Sequence, residues 1–193
     1  MVTFSQNSKI FKYYSYFKWV IYALLALNIV LFFIHQTVVE GLDSLGWVVL
    51  LILFEYETTH LSKAGIGKVK KYLIHLGRML SYILLVYVAY EYTTPEFIEQ
   101  EGYLDMLNAL TWFAIVGVLE YDIYFPIHRS RLEFFIRGGI KVVLYTALIV
   151  YAVLWGVEGK LLDFYDAFLW IVCFFFIELN IIKFEEEEGI FDS

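Results

Sequence analysis

The amino-acid sequence predicts an all-helical integral membrane protein, in which six transmembrane helices form three tandem hairpins and both termini are cytoplasmic. Three observations predict this fold class. The 193-residue chain is 61% hydrophobic, well above the roughly 45–50% that is typical of soluble domains. Six apolar segments have the length of about 20 residues that crosses a bilayer. A tryptophan–glutamate pattern recurs at one spacing in every second segment.

The six apolar segments are separated by short polar loops. Each can cross about 30 Å of hydrocarbon at roughly 1.5 Å per residue. Of the two prolines, Pro95 falls in a loop and Pro126 near a helix end, so we expect uninterrupted helices. The second segment is the weakest, because Glu55 and Glu57 interrupt it. The predicted spans are 17–35, 44–60, 72–91, 105–125, 134–157 and 164–183.

The spans form one membrane domain, residues 17–183, flanked by two short segments. Residues 1–16 are aromatic and weakly basic, and we expect them to lie at the inner headgroups. Residues 184–193 hold four consecutive glutamates, which is typical of a solvated acidic tail. The first apolar run lacks a small-residue cleavage site, so we interpret it as a membrane helix and not as a signal peptide. The approximate repeats are 17–63, 72–127 and 134–183.

The distribution of basic residues predicts the orientation. If the N-terminus is cytoplasmic, every lysine and arginine except Lys160 falls in or near an inner segment. The positive-inside rule then places both termini in the cytoplasm. The outer loops are acidic and could attract cations. The compact loops and the lack of a sorting signal favour a plasma membrane, with the bacterial inner membrane preferred.

The second, fourth and sixth spans each contain the same pattern: a tryptophan, seven apolar residues, a glutamate, one spacer residue, and then an acid or an amide. A carboxylate inside an apolar span costs roughly 2.5–3.5 kcal/mol, so three copies at one offset need a reason. The glutamates are Glu55, Glu120 and Glu178. The tryptophans Trp47, Trp112 and Trp170 follow outer acidic residues, which predicts a place in the aromatic belt at the membrane surface.

The preceding spans share a base, followed four residues later by a tyrosine and three residues after that by a leucine. The bases are Lys18, Arg78 and Lys141, and the tyrosines are Tyr22, Tyr82 and Tyr145. Base and glutamate of each hairpin fall at the same depth, and intramembrane charges usually pair. The tyrosine shares the face of its base and can donate to the carboxylate. We therefore predict three buried base–acid–tyrosine clusters.

The acid or amide two residues after each glutamate forms a second column: Glu57, Asp122 and Asn180. Two residues correspond to about 200° around a helix. We therefore expect this column to face away from the glutamates, toward inner headgroups or another helix, with Lys63 or Arg129 as partners. On that expectation, Glu57 and Asp122 tolerate neutralisation better than Glu55 and Glu120.

Two functional interpretations follow from the buried charges. In the first, the ion pairs fix helix register, and the protein is a structural or accessory membrane component whose partners are the bilayer and another membrane protein or a second copy. In the second, Glu55, Glu120 and Glu178 form a ring near the inner leaflet in a small cation or proton channel or transporter. Lys18, Arg78 and Lys141 would close that ring.

A third interpretation is an intramembrane metal or haem redox protein. Residues Glu57 and His60 have the Glu-x-x-His spacing of di-iron helical sites, but the second such pair is missing. His75 is the nearest candidate for a haem ligand. The single cysteine, Cys173, is expected to be a packing residue. The sequence shows no nucleophile motif, phosphate-binding loop or basic helix suited to nucleic acid, so we expect no enzyme activity, no cofactor and no nucleic-acid partner.

Overall fold

A computed structural model describes residues 9–61, 68–125 and 131–188 of the chain. These ranges contain α-helices and no strand, so the predicted all-helical fold class is confirmed for the described part of the chain. Seven helices follow one another: α1 (Lys9–His35), α2 (Val38–Leu61), α3 (Lys68–Glu91), α4 (Pro95–Glu101), α5 (Leu104–Tyr124), α6 (Arg131–Glu158) and α7 (Leu161–Glu188).

Four of these helices are long and apolar enough to cross a membrane. The segments that meet this condition within the described ranges are Tyr16–His35, Val69–Glu91, Leu104–Asp122 and Leu132–Glu158. They correspond to four of the six predicted spans. The predicted spans 44–60 and 164–183, which lie in α2 and α7, stay predictions from sequence, as do the threefold repeat and the orientation.

Helix α2 begins six residues before its predicted span because a capping box starts it. The Thr37 backbone N–H and hydroxyl donate to Glu40 Oε2 at 2.7 and 2.6 Å. The Glu40 backbone N–H donates to Thr37 Oγ1 at 3.3 Å. This reciprocal pattern satisfies donors that the first turn of a helix otherwise leaves open.

The ends of the chain are also more helical than the sequence predicts. Helix α1 begins at Lys9, so residues 9–16 continue the first predicted span as one helix instead of forming a separate lead-in. Residues 1–8 lie outside the described ranges. Helix α7 continues to Glu188, through the acidic run that was assigned to a solvated tail.

A short helix, α4, lies where the sequence predicts only a loop. Thr94 caps it by accepting a hydrogen bond from the Phe97 backbone N–H. Pro95 occupies the first turn, where its missing N–H costs nothing. Gly102 ends the helix with a φ of 92°, a conformation that glycine adopts without a Cβ clash. Phe97 is buried and packs on Tyr92 with ring centroids 4.8 Å apart.

The long helices form a closed ring in chain order. Each of α1, α2, α3, α5, α6 and α7 packs on the next, and α1 packs on α7. Three tryptophans meet inside the ring: centroid distances are 6.2 Å for Trp47–Trp112, 6.4 Å for Trp47–Trp170 and 6.3 Å for Trp112–Trp170. Their exposed fractions are 5–7%, so the predicted aromatic belt is wrong. We call these residues the Trp triad.

The alternate helices contribute an equivalent set of leucines to the same core. Leu25, Leu85 and Leu148 are each at most 1% exposed, and each lies seven residues after the base of its hairpin. Equal burial at equal spacing is what a threefold repeat requires. The outer surface of the ring exposes large apolar side chains such as Val30, Ile83 and Val153, as a lipid-facing surface does.

Candidate functional site

Two polar layers lie on opposite sides of the Trp triad. Along α2, Trp47 follows Asp43 by four residues and precedes Glu55 by eight. At the helical rise these separations are about 6 Å and ~12 Å. We call the layer around Asp43 the acidic chamber and the layer around Glu55 the ion-pair layer.

In the ion-pair layer, the first hairpin brings together its predicted base, acid and tyrosine. The Lys18 ammonium contacts Glu55 Oε1. The Tyr22 hydroxyl donates to Glu55 Oε2 at 3.1 Å. Both side chains come from α1, one turn apart, and the acceptor comes from α2. The carboxylate therefore binds a charge and a phenol on separate oxygens.

The second hairpin uses its base differently. The Tyr82 hydroxyl donates to Glu120 at 2.8 Å. The Arg78 guanidinium lies 3.8 Å from Glu120, too far for a hydrogen bond, and instead donates to Glu57 at 2.9 Å. Glu57 belongs to the preceding hairpin. Arg78 thus links the two hairpins, and no base in the described ranges donates a hydrogen bond to Glu120.

The third base repeats this link. Lys141 lies 2.8 Å from Asp122 of the preceding hairpin. Asp122 also accepts a hydrogen bond from Arg137 at 2.9 Å. Arg137, which is buried, contacts Glu133 and donates to the Phe125 carbonyl at 2.6 Å. From the sequence, Arg137 counts only among the inner positive charges, although its spacing of four residues from Glu133 is typical of a helical ion pair.

The second column of acids therefore differs from its prediction. Glu57 and Asp122 point toward the base of the next hairpin and not away from the bundle. Their predicted partners, Lys63 and Arg129, lie outside the described residues. So do the side chains of Glu178 and Asn180, so the Lys141–Glu178 pair and the complete ring of three glutamates stay predictions. Tyr145 packs against the central core.

The acidic chamber is the part of the site that the sequence analysis missed. Glu40, Asp105 and Asp163 are buried, and Asp43 and Asp166 are partly buried beside them. A signal for this layer is present in the sequence: an acid precedes each tryptophan by seven residues, and an acid or amide precedes it by four. The positions are Glu40, Asp43, Asp105, Asn108, Asp163 and Asp166.

Polar side chains from neighbouring helices hold the carboxyls in place. Asn28 on α1 donates to Asp166 at 2.9 Å. Gln36, which follows α1, donates to both oxygens of Asp163 at 2.9 and 3.0 Å. Asp43 accepts hydrogen bonds from the side chains of Trp47 and Tyr92. None of these donors is charged, so hydrogen bonds orient the carboxyls without neutralising them.

Burial changes the protonation of the chamber. It raises the pKa of the Asp43 carboxyl to about 8, and the charges of Asp166 and Asp105 add to this. It raises the pKa of Asp163 to about 6 and also raises that of Glu40. Desolvation and like charges both disfavour an ionised carboxylate. At neutral pH, the Asp43 carboxyl therefore holds a proton. The Asp163 carboxyl gains or loses its proton at about pH 6.

Unpaired polar atoms line the same cavity. Trp155 is 3% exposed, and no described residue accepts a hydrogen bond from its Nε1–H. Oδ2 of Asp105 and Oδ1 of Asn108, two other lining residues, also lack a partner within the described ranges. The cavity has a volume of about 40 Å³, and one water needs roughly 10–15 Å³. Donors and acceptors thus face a space that fits a few water molecules.

Lys160 closes the rim of the chamber. It follows α6, lies 2.8 Å from the Glu101 carboxylate, and donates to the Glu101 carbonyl at 3.0 Å. Burial alone lowers the pKa of Lys160, but the Glu101 hydrogen bond and the surrounding carboxylates outweigh it and raise the pKa. Lys160 therefore stays charged, and its charge offsets part of the rise in the pKa of Glu40 and of Asp163.

No family model, curated protein or solved structure matches the chain. The geometry of the two layers therefore carries the functional argument. Within the described ranges, no three His, Cys, Asp or Glu side chains are close enough to hold a metal ion. The side chain of His60, from the Glu-x-x-His pair, lies outside the described residues. Buried carboxyls such as Asp43 can bind and release protons.

Proposed function

We propose that this protein is a membrane-embedded helical bundle that transfers protons along the axis of the ring, with the acidic chamber as the proton-loading site. The observation that carries the proposal is the chamber itself: five acids converge on a small polar cavity that contains unpaired donors and acceptors. Ionisable groups inside a membrane bundle most often mark ion or proton pathways. A pKa near neutrality lets a carboxyl both accept and release a proton.

The basic residues suggest the direction in which the chamber faces. On the positive-inside rule, the ion-pair layer is cytoplasmic and the chamber faces outward. Protons would enter past Lys160 and load Asp43, whose pKa of about 8 favours the protonated form. The chamber carboxyls are near neighbours, so protons could pass between them through water in the cavity.

Two barriers lie between the chamber and the cytoplasm in the proposed path. The first is the Trp triad, whose rings pack at centroid distances of 6.2–6.4 Å. The second is the ion-pair layer, where Glu55 is held by Lys18 and Tyr22. A proton that crosses the triad could neutralise such a carboxylate and release its base. The proposed cycle therefore needs the triad to repack, on the μs–ms scale of helix motions.

Proton flux into proteoliposomes tests this function. Vesicles that contain an internal pH dye are given an inward proton gradient, and the wild type is compared with the Asp43→Asn/Asp166→Asn double variant. We expect the wild type to acidify the lumen and the double variant to lose about 90% of the rate or more, because both carboxyls line the cavity. Glu99→Gln, an exposed carboxylate at the same end, serves as the matched control. Wild-type flux no faster than that of empty vesicles would overturn the proposal.

A second candidate function rests on the ion-pair layer. There, Glu57–Arg78 and Asp122–Lys141 each join one hairpin to the next. Such links fix register, and removing one partner leaves a buried charge. On this basis the protein is a structural or accessory membrane component. Its test is co-purification after mild detergent extraction: a stoichiometric partner protein, together with absent proton flux, would favour this candidate.

A further inference from the structure

A second cavity lies between the Trp triad and the ion-pair layer. Its volume is about 100 Å³, and its walls include the rings of Trp47, Phe54, Trp170 and Phe174. Glu120 lies at one side of it. The size is comparable with the ~150 Å³ cavity that admits benzene. Among the described residues, the cavity is thus lined by aromatic rings and one carboxylate.

A groove along α3 lies beside the pocket. The groove has a volume of about 530 Å³, and its lining includes Met79, Ile83 and Val86. These three side chains are exposed on the outer surface of the ring. Arg78, Tyr82 and Glu120 line both the pocket and the groove. The pocket and the groove thus adjoin at these three residues, on the side of the bundle that exposes apolar side chains.

Glu120 is available to a ligand in a way that Glu55 is not. Its side chain is 43% exposed, against 24% for Glu55. Lys18 contacts Glu55 directly, whereas Arg78 lies 3.8 Å from Glu120 and gives its hydrogen bond to Glu57. The charge of Arg78 is thus already matched by Glu57. Among the described residues, Tyr82 donates one hydrogen bond to Glu120, and the carboxylate, which lines the groove, can accept more.

We propose that this pocket and groove bind an amphipathic organic cation, with its quaternary ammonium head beside Glu120 and its alkyl chain in the groove. A quaternary ammonium donates no hydrogen bonds, so it is recognised by a nearby carboxylate and by aromatic faces, of which tryptophan is the best. The apolar groove supplies the area that an alkyl chain buries. The same head chemistry occurs in free single-chain quaternary ammonium amphiphiles and in choline lipids. This site does not depend on the proposed proton pathway.

The test is equilibrium binding of dodecyltrimethylammonium to the full chain in nanodiscs of phosphatidylglycerol. We expect saturable binding, and binding at least about tenfold weaker for a neutral isostere that carries carbon in place of nitrogen. This comparison uses the wild type and needs no variant to fold. Equal binding of the two compounds would overturn the proposal.

Matched variants locate the site. Glu120→Gln should weaken binding about tenfold, while Glu55→Gln, the same change at the equivalent position of the first hairpin, should leave it unchanged. Trp170→Phe should weaken binding about threefold, whereas Trp112→Phe, which alters the triad member that does not line the pocket, should not. Circular dichroism checks that each variant is folded. Unchanged affinity in folded Glu120→Gln contradicts the proposal.

Adding phosphatidylcholine to the nanodiscs distinguishes the two sources of the cation. Competition that depends on the fraction of phosphatidylcholine identifies a choline lipid as the occupant. Saturable dodecyltrimethylammonium binding that phosphatidylcholine does not reduce identifies a free amphiphile. Absence of saturable binding in either lipid rejects both. None of these readouts requires proton transport, so the proposed proton pathway and this site can fail separately.

Discussion

The two polar layers of the bundle each hold five described carboxyls but stabilise them in opposite ways. In the ion-pair layer, Lys18, Arg78, Arg137 and Lys141 lie next to the acids. In the acidic chamber, neutral side chains such as Asn28 and Gln36 hold the carboxyls, and burial favours their protonated forms. The first layer is neutralised by bases, whereas in the second a proton neutralises Asp43 at neutral pH.

This difference has a physical consequence. Charges matched by arginine and lysine persist over the whole neutral range, because these bases release their protons only at high pH. Carboxyls neutralised by protons change state when the pH crosses their raised pKa values. Substitutions in the ion-pair layer should therefore change the stability of the protein, whereas the contribution of the acidic chamber to stability should change with pH.

The largest expected effect comes from removing the most buried base. Arg137→Met leaves Asp122 short of one partner and Glu133 without its contact, and it frees the Phe125 carbonyl. We expect a loss of about 3 kcal/mol in the free energy of unfolding. Thermal unfolding in detergent, followed by far-UV circular dichroism, measures it. Lys160→Met is the control, with an expected loss of about 1 kcal/mol or less in the free energy of unfolding. Equal losses in the two variants would contradict the predicted difference between the layers.

Neutralising one carboxyl in each layer should have opposite signs. Asp122→Asn weakens the contacts with Arg137 and Lys141 and should cost about 2 kcal/mol of the free energy of unfolding. Asp43→Asn removes a carboxyl that is costly to ionise, so it should stabilise the protein above about pH 8. Unfolding temperatures of the two variants, compared with the wild type in one alkaline buffer, test the sign. If both substitutions lowered the unfolding temperature, the predicted difference between the two layers would be wrong.

The wild type should lose stability as the pH rises. The pKa of Asp43 is about 8 in the folded protein, against an ordinary value of 3.8, so between these values the native state binds more protons than the unfolded state. Stability is then full at acidic pH and is lost as the pH rises toward 8. We expect the unfolding temperature to fall on the order of 5 °C between about pH 5 and pH 8.5. Asp43→Asn should make the unfolding temperature less dependent on pH. A wild-type unfolding temperature that rises with pH would contradict the prediction.

The smallest expected effect separates two acids around one base. Arg78 donates to Glu57 at 2.9 Å and lies 3.8 Å from Glu120. Glu57→Gln should therefore cost more than Glu120→Gln, by about 0.5–1 kcal/mol of the free energy of unfolding. This order is the reverse of what the sequence alone led us to expect. Equal unfolding temperatures for the two variants would show that the 0.9 Å difference between the Arg78–Glu57 and Arg78–Glu120 distances does not affect stability.

Much of the ion-pair layer could be predicted from sequence because helical geometry is local. The four-residue step from Lys18 to Tyr22 fixes a shared face, and equal depth placed Glu55 opposite them. What sequence could not decide was which of two neighbouring hairpins each base would contact. Arg78 lies within reach of both Glu57 and Glu120, and that choice depends on how the helices pack across the ring.

The acidic chamber and the Trp triad were missed for a different reason. Trp47 and its equivalents follow acids, and such a pattern is shared by an aromatic belt and by a buried core. Hydropathy cannot separate the two, since both place an aromatic ring next to polar groups. The contacts between α1 and α7 close the ring. This closure turns the tryptophans and the chamber acids inward. No local pattern in the chain encodes that closure.

The closure also sets an order of assembly. Within the ring, every neighbouring pair except α1–α7 joins helices that are consecutive along the chain or separated only by the short α4, and such contacts form quickly because little chain entropy is lost. The α1–α7 contact joins opposite ends of the chain. The hydrogen bond from Asn28 to Asp166 crosses it, and Gln36 donates to Asp163 beside it. While the chain is being synthesised, the acidic chamber therefore stays incomplete until α7, which carries Asp163 and Asp166, has been made.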